Sequence, residues 1–403
     1  MTEAFSHAAL WLGLAVLATI IAYHLKVSMA LVEIVVGMVA AGVVEYYVGP
    51  EFFGSEESWL RFLAATGAVL LTFLAGAELE PKVLRVRWKE VWLVGLVGFL
   101  APFLGCSAVA RYLLGWDPSA SLLVGVALST TSMAVVYAVM LETGLNRTEF
   151  GKGILGACFI NDLGTVIALG LLFAPFTWKT LVFVGVTTVA LAVLPAATRH
   201  LTTLYGFRTA AVRTKWVLLV LFGLGALALW SGSEAVLPAY IAGMVLAGAA
   251  AEDHNWLRRL RTLTIGFLTP FYFLRAGSLV ALPVVLGAPL VLLLLLGGKV
   301  ATKIVGLYPV IARFRQERNE RWYYTLLMST GLTFGTISAL YGLTHGILSR
   351  TQYSFVVAAV IGSALVPTMV AGAAFVPRHL MPETDPAPVV SATGNGAELL
   401  DQE

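Results

Sequence analysis

The sequence predicts an all-α polytopic membrane protein with 13 transmembrane helices. Three observations carry that expectation. The 403 residues are 59% hydrophobic and only 12% charged, more apolar surface than one or two soluble cores of this length could hide. Apolar runs of about 20 residues, the length that crosses a bilayer, recur from end to end. The charges cluster in the short segments between those runs.

The first run, roughly 6–24, has no basic flank before it and no cleavage site after it, so it reads as a retained span. Further spans fall at roughly 29–48, 58–78, 90–114, 119–141 and 148–173, then 178–197, 214–231, 235–250, 261–281, 284–310, 321–344 and 352–376. The loops are too short for a soluble domain. Residues 377–403, rich in Pro, Ala, Gly and Glu, read as a short disordered cytoplasmic tail after a membrane domain over 1–376.

Loop charge sets the direction. With the N-terminus outside and the C-terminus cytoplasmic, the cytoplasmic segments hold 19 of the 26 Lys and Arg residues. The outer loops hold only Arg61, Arg111, Lys179 and Arg350. That bias alternates through all thirteen spans, as positive-inside sorting requires. An odd count accommodates two inverted six-helix repeats, about 6–173 and 214–376, joined by a linker helix at about 178–197. Span 5 carries "ALSTTSMAVV" and span 12 "LMSTGLTFGTISAL", matched Ser/Thr/Gly-rich interruptions of the kind that mark a transporter's binding site.

Net charge is +3, too small to suggest nucleic acid as a partner. Cys106 and Cys158 lie in apolar runs and read as small buried hydrophobes. The six histidines sit near span ends or in loops. No resident metal centre, cofactor motif, Ser–His pair or catalytic carboxylate pair stands out, so the chain does not read as an enzyme.

Span 6, "GACFINDLGTVIALGLLF", is apolar except for Asn161 and Asp162 near its middle. An ionised Asp at that depth costs roughly 2.5–3.5 kcal/mol on insertion scales and needs water, a partner or a proton. No other acid lies so deep. A carboxylate that holds either a proton or a small cation, but not both, is the minimal device for exchange. Asn161 can both donate and accept hydrogen bonds. In the span-5 break, Ser129, Thr130, Thr131 and Ser132 offer the oxygen ligands a hard monovalent cation prefers, and spacing does not select among them. Lys299 and Lys303 share one face of span 11. Arg275, in span 10, reads as an interfacial anchor, a partner for a buried acid or part of an outer gate. Glu78, at the cytoplasmic end of span 3, is a further candidate acid.

These residues resemble the monovalent cation–proton antiporters of the Nha/Nap/Kef type. The likeness spans about residues 10–376 and rests on "LLTFLAGAELEP", "ALSTTSMAVVYAVM", "FINDLGTVIAL", "AYIAGMVLAG", and "KIVGLYPVIARF" followed by "ERWYYTLLMSTGLTFG". It implies an NhaA-like fold with crossed discontinuous helices, a core domain and a dimerisation domain, and a homodimer in a prokaryotic plasma membrane. It implies exchange of Na+ or K+ for H+ in pH homeostasis, with the transported cation on Asp162. The family's unwound-helix threonine falls on Thr130 or Thr131, and its span-11 lysine on Lys303, in a K-x-x-G context. Asn161 replaces an aspartate of electrogenic members, which implies electroneutral 1:1 exchange. Arg275 departs from the family pattern and could replace or modify the contact of Lys303. A Kef-like potassium efflux conduit without obligatory proton coupling is the alternative.

Overall fold

The computed structural model describes residues 2–25, 29–47, 53–77, 87–145, 148–173, 177–205, 211–233, 235–252 and 254–381. Glu78 and the greater part of the expected tail lie outside the described residues. Every long element is a helix, as expected where each backbone N–H and C=O must be satisfied within its own segment. Among the described residues, ten stretches are helical, long and apolar enough to cross a membrane.

Helices α1 (Thr2–Leu25), α2 (Met29–Tyr47), α3 (Ser58–Ala77) and α4 (Trp88–Ala108) follow the expected spans closely. Span 5 is two pieces, α5 (Pro118–Ser129) and α6 (Met133–Glu142). Pro118 opens α5 at a position whose N–H has no intrahelical partner in any case. Helix α7 (Glu149–Phe173) is continuous, and α8 (Trp178–Tyr205) runs two turns past the expected end of the linker helix. Then come α9 (Val212–Ser231) and the shorter α10 (Val236–Glu252).

The stretch expected as one span at 261–281 begins earlier and is interrupted. It comprises α11 (His254–Leu263), a π-helical turn over Thr264–Leu268 and α12 (Thr269–Ser278). Pro270 supplies the reason, because it cannot donate the next helical hydrogen bond and the turn before it widens. A short α13 (Leu282–Gly287) precedes α14 (Pro289–Ile311), so the eleventh span starts at Pro289. Span 12 is again two pieces, α15 (Arg318–Met328) and α16 (Thr333–Thr344), and α17 (Arg350–Ala374) closes the sequence of spans. Ser349 and Gln352 form a reciprocal capping box at the start of α17, with bonds of 3.2 and 2.9 Å.

Packing sorts these helices into two bundles. One contains α1–α3 and α8–α12, in which α3 lies on α10 and α2 on α12; the other contains α4–α7 and α14–α17, built around the α4–α14 pair. Two crossings in the first bundle are so close that only glycine fits. A Cβ at Gly243 would lie 2.9 Å from Ala77 N, on the backbone of α3, and one at Gly37 would lie 2.9 Å from Leu274 Cα on α12. Gly76 and Gly277 return the contact against the backbones of Tyr240 and Ile34. The segments around Gly37 and Gly243 read "GMVAAG" and "GMVLAG", and their partners "FLRAG" and "FLAG" respectively.

An arginine ties chain segments together in each bundle. In the second bundle, Arg315 grips Glu90 Oε1 through Nε (3.0 Å) and Nη2 (2.7 Å), while Arg87 Nη1 reaches Glu90 Oε2 at 3.3 Å. Arg87 also approaches Glu149 at 3.7 Å, so this network ties the starts of α4 and α7 to the α14–α15 loop. In the first bundle, Arg275 Nε donates to Ser55 O at 2.8 Å and Nη2 to Glu56 at 3.2 Å, and Ser55 and Ser278 hydroxyls meet at 2.9 Å.

Candidate functional site

The site lies where the two broken spans cross. Helix α5 stops at Ser129 because Thr130 turns to extended backbone (φ −62°, ψ 153°); α15 stops at Met328, and Leu332 (φ −152°, ψ −77°) precedes α16. The crossing is bonded directly. Ser132 N donates to Thr330 O at 3.2 Å, and Thr131 Oγ1 donates to Met328 O at 2.8 Å. Two helix C-termini with their carbonyls and two helix N-termini thus meet in a buried place, giving partial charges of both signs.

Neighbouring hydroxyls close the broken ends. Ser129 and Thr130 donate back to Val126 O (2.8 Å) and Ala127 O (3.0 Å), and Ser329 and Thr330 to Thr325 O (2.7 Å) and Leu327 O (2.8 Å). Their hydrogens are committed to their own helices, which leaves oxygen lone pairs for the site. Ser132 Oγ instead accepts from Val135 N at 3.3 Å, at the start of α6.

Helix α7 presents Asn161 and Asp162 to this crossing. Asn161 Nδ2 donates to Ser129 O at 3.2 Å, and its side chain passes Gly98 of α4, where a Cβ would lie 3.4 Å from Nδ2. Asp162 is 2% exposed, and its Oδ1 has no hydrogen-bond partner among the described residues; neither has Asn161 Oδ1. From the facing helix α14 come two lysines, both fully buried. Lys303 Nζ donates to Thr131 Oγ1 at 3.0 Å. Lys299 Nζ has no hydrogen-bond partner among the described residues and occupies the space beside Gly331, where a Cβ would also lie 3.2 Å from Thr130 O. Both lysines lie within electrostatic reach of Asp162.

The structure therefore brings together Asn161, Asp162, Thr130, Thr131, Ser132 and Lys303. It does not bring Arg275 there: that guanidinium is bound to Ser55 and Glu56 in the other bundle, not to Lys303. Asp162 is also not alone in being buried. Glu33 of α2 is 1% exposed with Oε1 unpartnered among the described residues, and Glu90 is buried in its arginine network. Distance from a span end does not measure burial. Lys299 and Gly331 are the members that sequence reading leaves without a role; the signal was that Gly331 stands opposite Thr131 in the aligned breaks "STT" and "STG".

Beyond Asp162 by about one turn lies a crevice between the bundles, lined by Thr165, Val236, Phe334 and Ser338 among others, with room of about 10 Å³. That is about the space one water needs. Tyr240 of α10 bridges this seam, donating to Phe159 O at 3.0 Å and packing edge-on against Phe334. The arrangement offers buried oxygens of the kind that can hold one small positive species.

Comparisons with known proteins agree. The profile of the family described as sodium/hydrogen exchanger, transmembrane, matches residues 12–376. The chain is 26% identical over 351 residues to a protein named probable Na(+)/H(+) antiporter 3 of Methanocaldococcus jannaschii, covering 83% of this chain and 89% of that one. It is 26% identical over 358 residues to the glutathione-regulated potassium-efflux system protein KefC of Salmonella arizonae, covering 82% of this chain but 54% of that one. It thus spans about half the length of that relative. The fold matches the structure of the sodium proton antiporter MjNhaP1 from Methanocaldococcus jannaschii with a TM-score of 0.66, at 16% identity, over 92% of this chain and 97% of that one.

Proposed function

Because the chain belongs to the sodium/hydrogen exchanger transmembrane family, we propose that it is a secondary active transporter that exchanges Na+ or K+ for H+ by alternating access. It is an integral membrane protein. The observation that carries the reading is the unpartnered Asp162 Oδ1 at the crossing of two broken helices. A buried carboxylate oxygen without a donor is costly, and either a proton or a bare monovalent cation would satisfy it. Since the two cannot occupy it together, their fluxes are coupled. Asn161 and Thr130, Thr131 and Ser132 supply oxygens or fix the break. Lys303, held by Thr131, provides the facing charge.

The reading includes two inverted repeats of six spans, 6–173 and 214–376, around the linker helix, thirteen spans in all. The paired crossings at Gly37 and Gly243 support it, because they are one contact made twice with the halves exchanged, and so do the breaks at corresponding places of spans 5 and 12. It also includes a homodimer in a prokaryotic plasma membrane, an outside N-terminus, a cytoplasmic C-terminus and a tail over 377–403. Glu78 remains a candidate at the cytoplasmic end of span 3.

With one carboxylate, exchange is 1:1 and electroneutral. The test is exchange in proteoliposomes with Na+, K+ and Li+, with and without a valinomycin-clamped potential. The expected rate is indifferent to the clamp; a rate that follows the potential overturns the stoichiometry. A potassium conduit without proton coupling is the second reading, favoured by the likeness to proteins named for potassium efflux. The burial of Asp162 and the single-water crevice count against an open pore.

Thr131→Val removes the acceptor of Lys303 and the donor to Met328 O. A hydrogen bond to a charged group contributes about 1.5–3 kcal/mol, so transport is expected to fall at least about tenfold, whereas Thr131→Ser keeps it. Equal rates for Val and Ser would remove the Lys303–Thr131 contact from the working site.

A further inference from the structure

A groove of about 550 Å³ opens on the outer side of the second bundle, between the start of α4 and the end of α14, and the exchange reading does not use it. Its lining includes Trp88, Trp92, Leu93, Leu96 and Phe314, with Lys89 and Arg313 at the rim. Both basic residues are exposed. Neither has an acidic partner among the described residues; Lys89 Nζ lies only over the Trp88 ring, 5.7 Å from its centroid. The adjacent acid, Glu90, is turned inward and held by Arg315 and Arg87. The rim therefore presents two positive charges and no neutralising carboxylate.

The floor gives the second half of the chemistry. Leu93 and Leu96 continue along one face of α4 into exposed Leu100 and Leu104, an apolar track pointing away from the charged rim. Exposed Trp88 and Trp92 stand at the end of the spans, the level at which tryptophan prefers the boundary between hydrocarbon and head groups. A free phosphate would use the rim but leave the apolar track unused. A zwitterionic lipid would use the track but gain little net charge attraction from the rim.

We propose that this groove binds one anionic phospholipid, its phosphate between Lys89 and Arg313 and its first acyl methylenes along Leu93 and Leu96. The leaflet, cytoplasmic, rests on the orientation read above; the binding itself does not. The lipid sits on the outer face of the helix pair that also carries Lys303 and the Gly98 passage for Asn161.

The experiment places the purified chain in nanodiscs of phosphatidylcholine containing a minor fraction of spin-labelled phosphatidylglycerol, or of spin-labelled phosphatidylcholine. The immobilised fraction of label is then compared. The expected result is a preference for phosphatidylglycerol that falls roughly thirtyfold in a Lys89→Gln/Arg313→Gln double variant, from about 1 kcal/mol per basic residue near a membrane surface. Lys179→Gln, which removes a half-buried lysine over the Trp230 ring in the other bundle, is expected to leave the preference unchanged. Both replaced rim residues are exposed, and an unchanged thermal unfolding profile checks that the double variant is folded. Three results would overturn the proposal: an equal preference in the double variant, no preference in the parent chain, or displacement of the labelled lipid by inorganic phosphate alone.

Discussion

Asp162→Asn is expected to reduce cation-driven proton movement in vesicles to background. The substitution keeps the shape of the side chain but removes both species it can hold, since an amide neither takes up a proton in this range nor neutralises a cation. At an effective dielectric of about 20, losing a unit charge about 4 Å from the bound ion forfeits about 4 kcal/mol, close to a thousandfold in affinity. Raising the cation concentration therefore does not restore exchange. The neighbouring Asn161 already sits in the same helix with its Oδ1 unpartnered, so an amide at 162 adds no group the fold does not tolerate. Two measurements on one preparation decide it: collapse of an imposed pH gradient on adding Na+ or K+, and thermal unfolding in detergent. A stable variant with parental exchange would remove Asp162 from the mechanism.

Gly243→Ala is expected to produce a large loss of stability for a single added methyl. The new Cβ would meet backbone atoms, Ala77 N at 2.9 Å and Gly76 Cα at 3.0 Å, which cannot rotate away as a side chain can. Overpacking costs about 1–3 kcal/mol where side chains give way, and more is expected where two helix axes must separate. Gly37→Ala, at the matching crossing, behaves alike. Gly248→Ala and Gly42→Ala lie on the same two helices with open space at Cβ and provide the comparison. Melting in detergent, followed by intrinsic fluorescence, is expected to separate the pairs clearly. Coincident melting of all four variants would mean that these crossings do not hold the bundle.

What the sequence reveals is governed by what hydropathy measures. Insertion energy is a sum over neighbours in the chain, so apolar runs and the Asn161–Asp162 interruption stand out without knowledge of any partner. The breaks of spans 5 and 12 are legible for the same reason: Ser, Thr and Gly in a row announce backbone that leaves the helix. Contacts between residues some two hundred positions apart carry no such signal. Arg275 reads equally well as an anchor or a gate until Ser55 and Glu56 are seen beside it. Lys299 becomes intelligible only when Gly331 is found to leave it room. Glu33 escapes notice because it lies near the start of α2, yet it is as completely buried as a central residue. Among the described residues the apolar runs fall on helices, ten stretches of them long and apolar enough to cross a membrane, but α10 is short and the tenth run is interrupted before Pro270, which composition averages away.

The fastenings of the two bundles lie on opposite faces of the molecule, because α3 and α4 are successive crossings and the Arg275 clip sits before the first while the Glu90 network sits at the start of the second. If one body rocks against the other, as the proposed alternating access requires, these two arginine networks stay closed while the seam opens. Hydrogen exchange would register that as slow, concerted deprotection along the Tyr240 seam, with the amides beside Glu90 and Arg275 the last to yield.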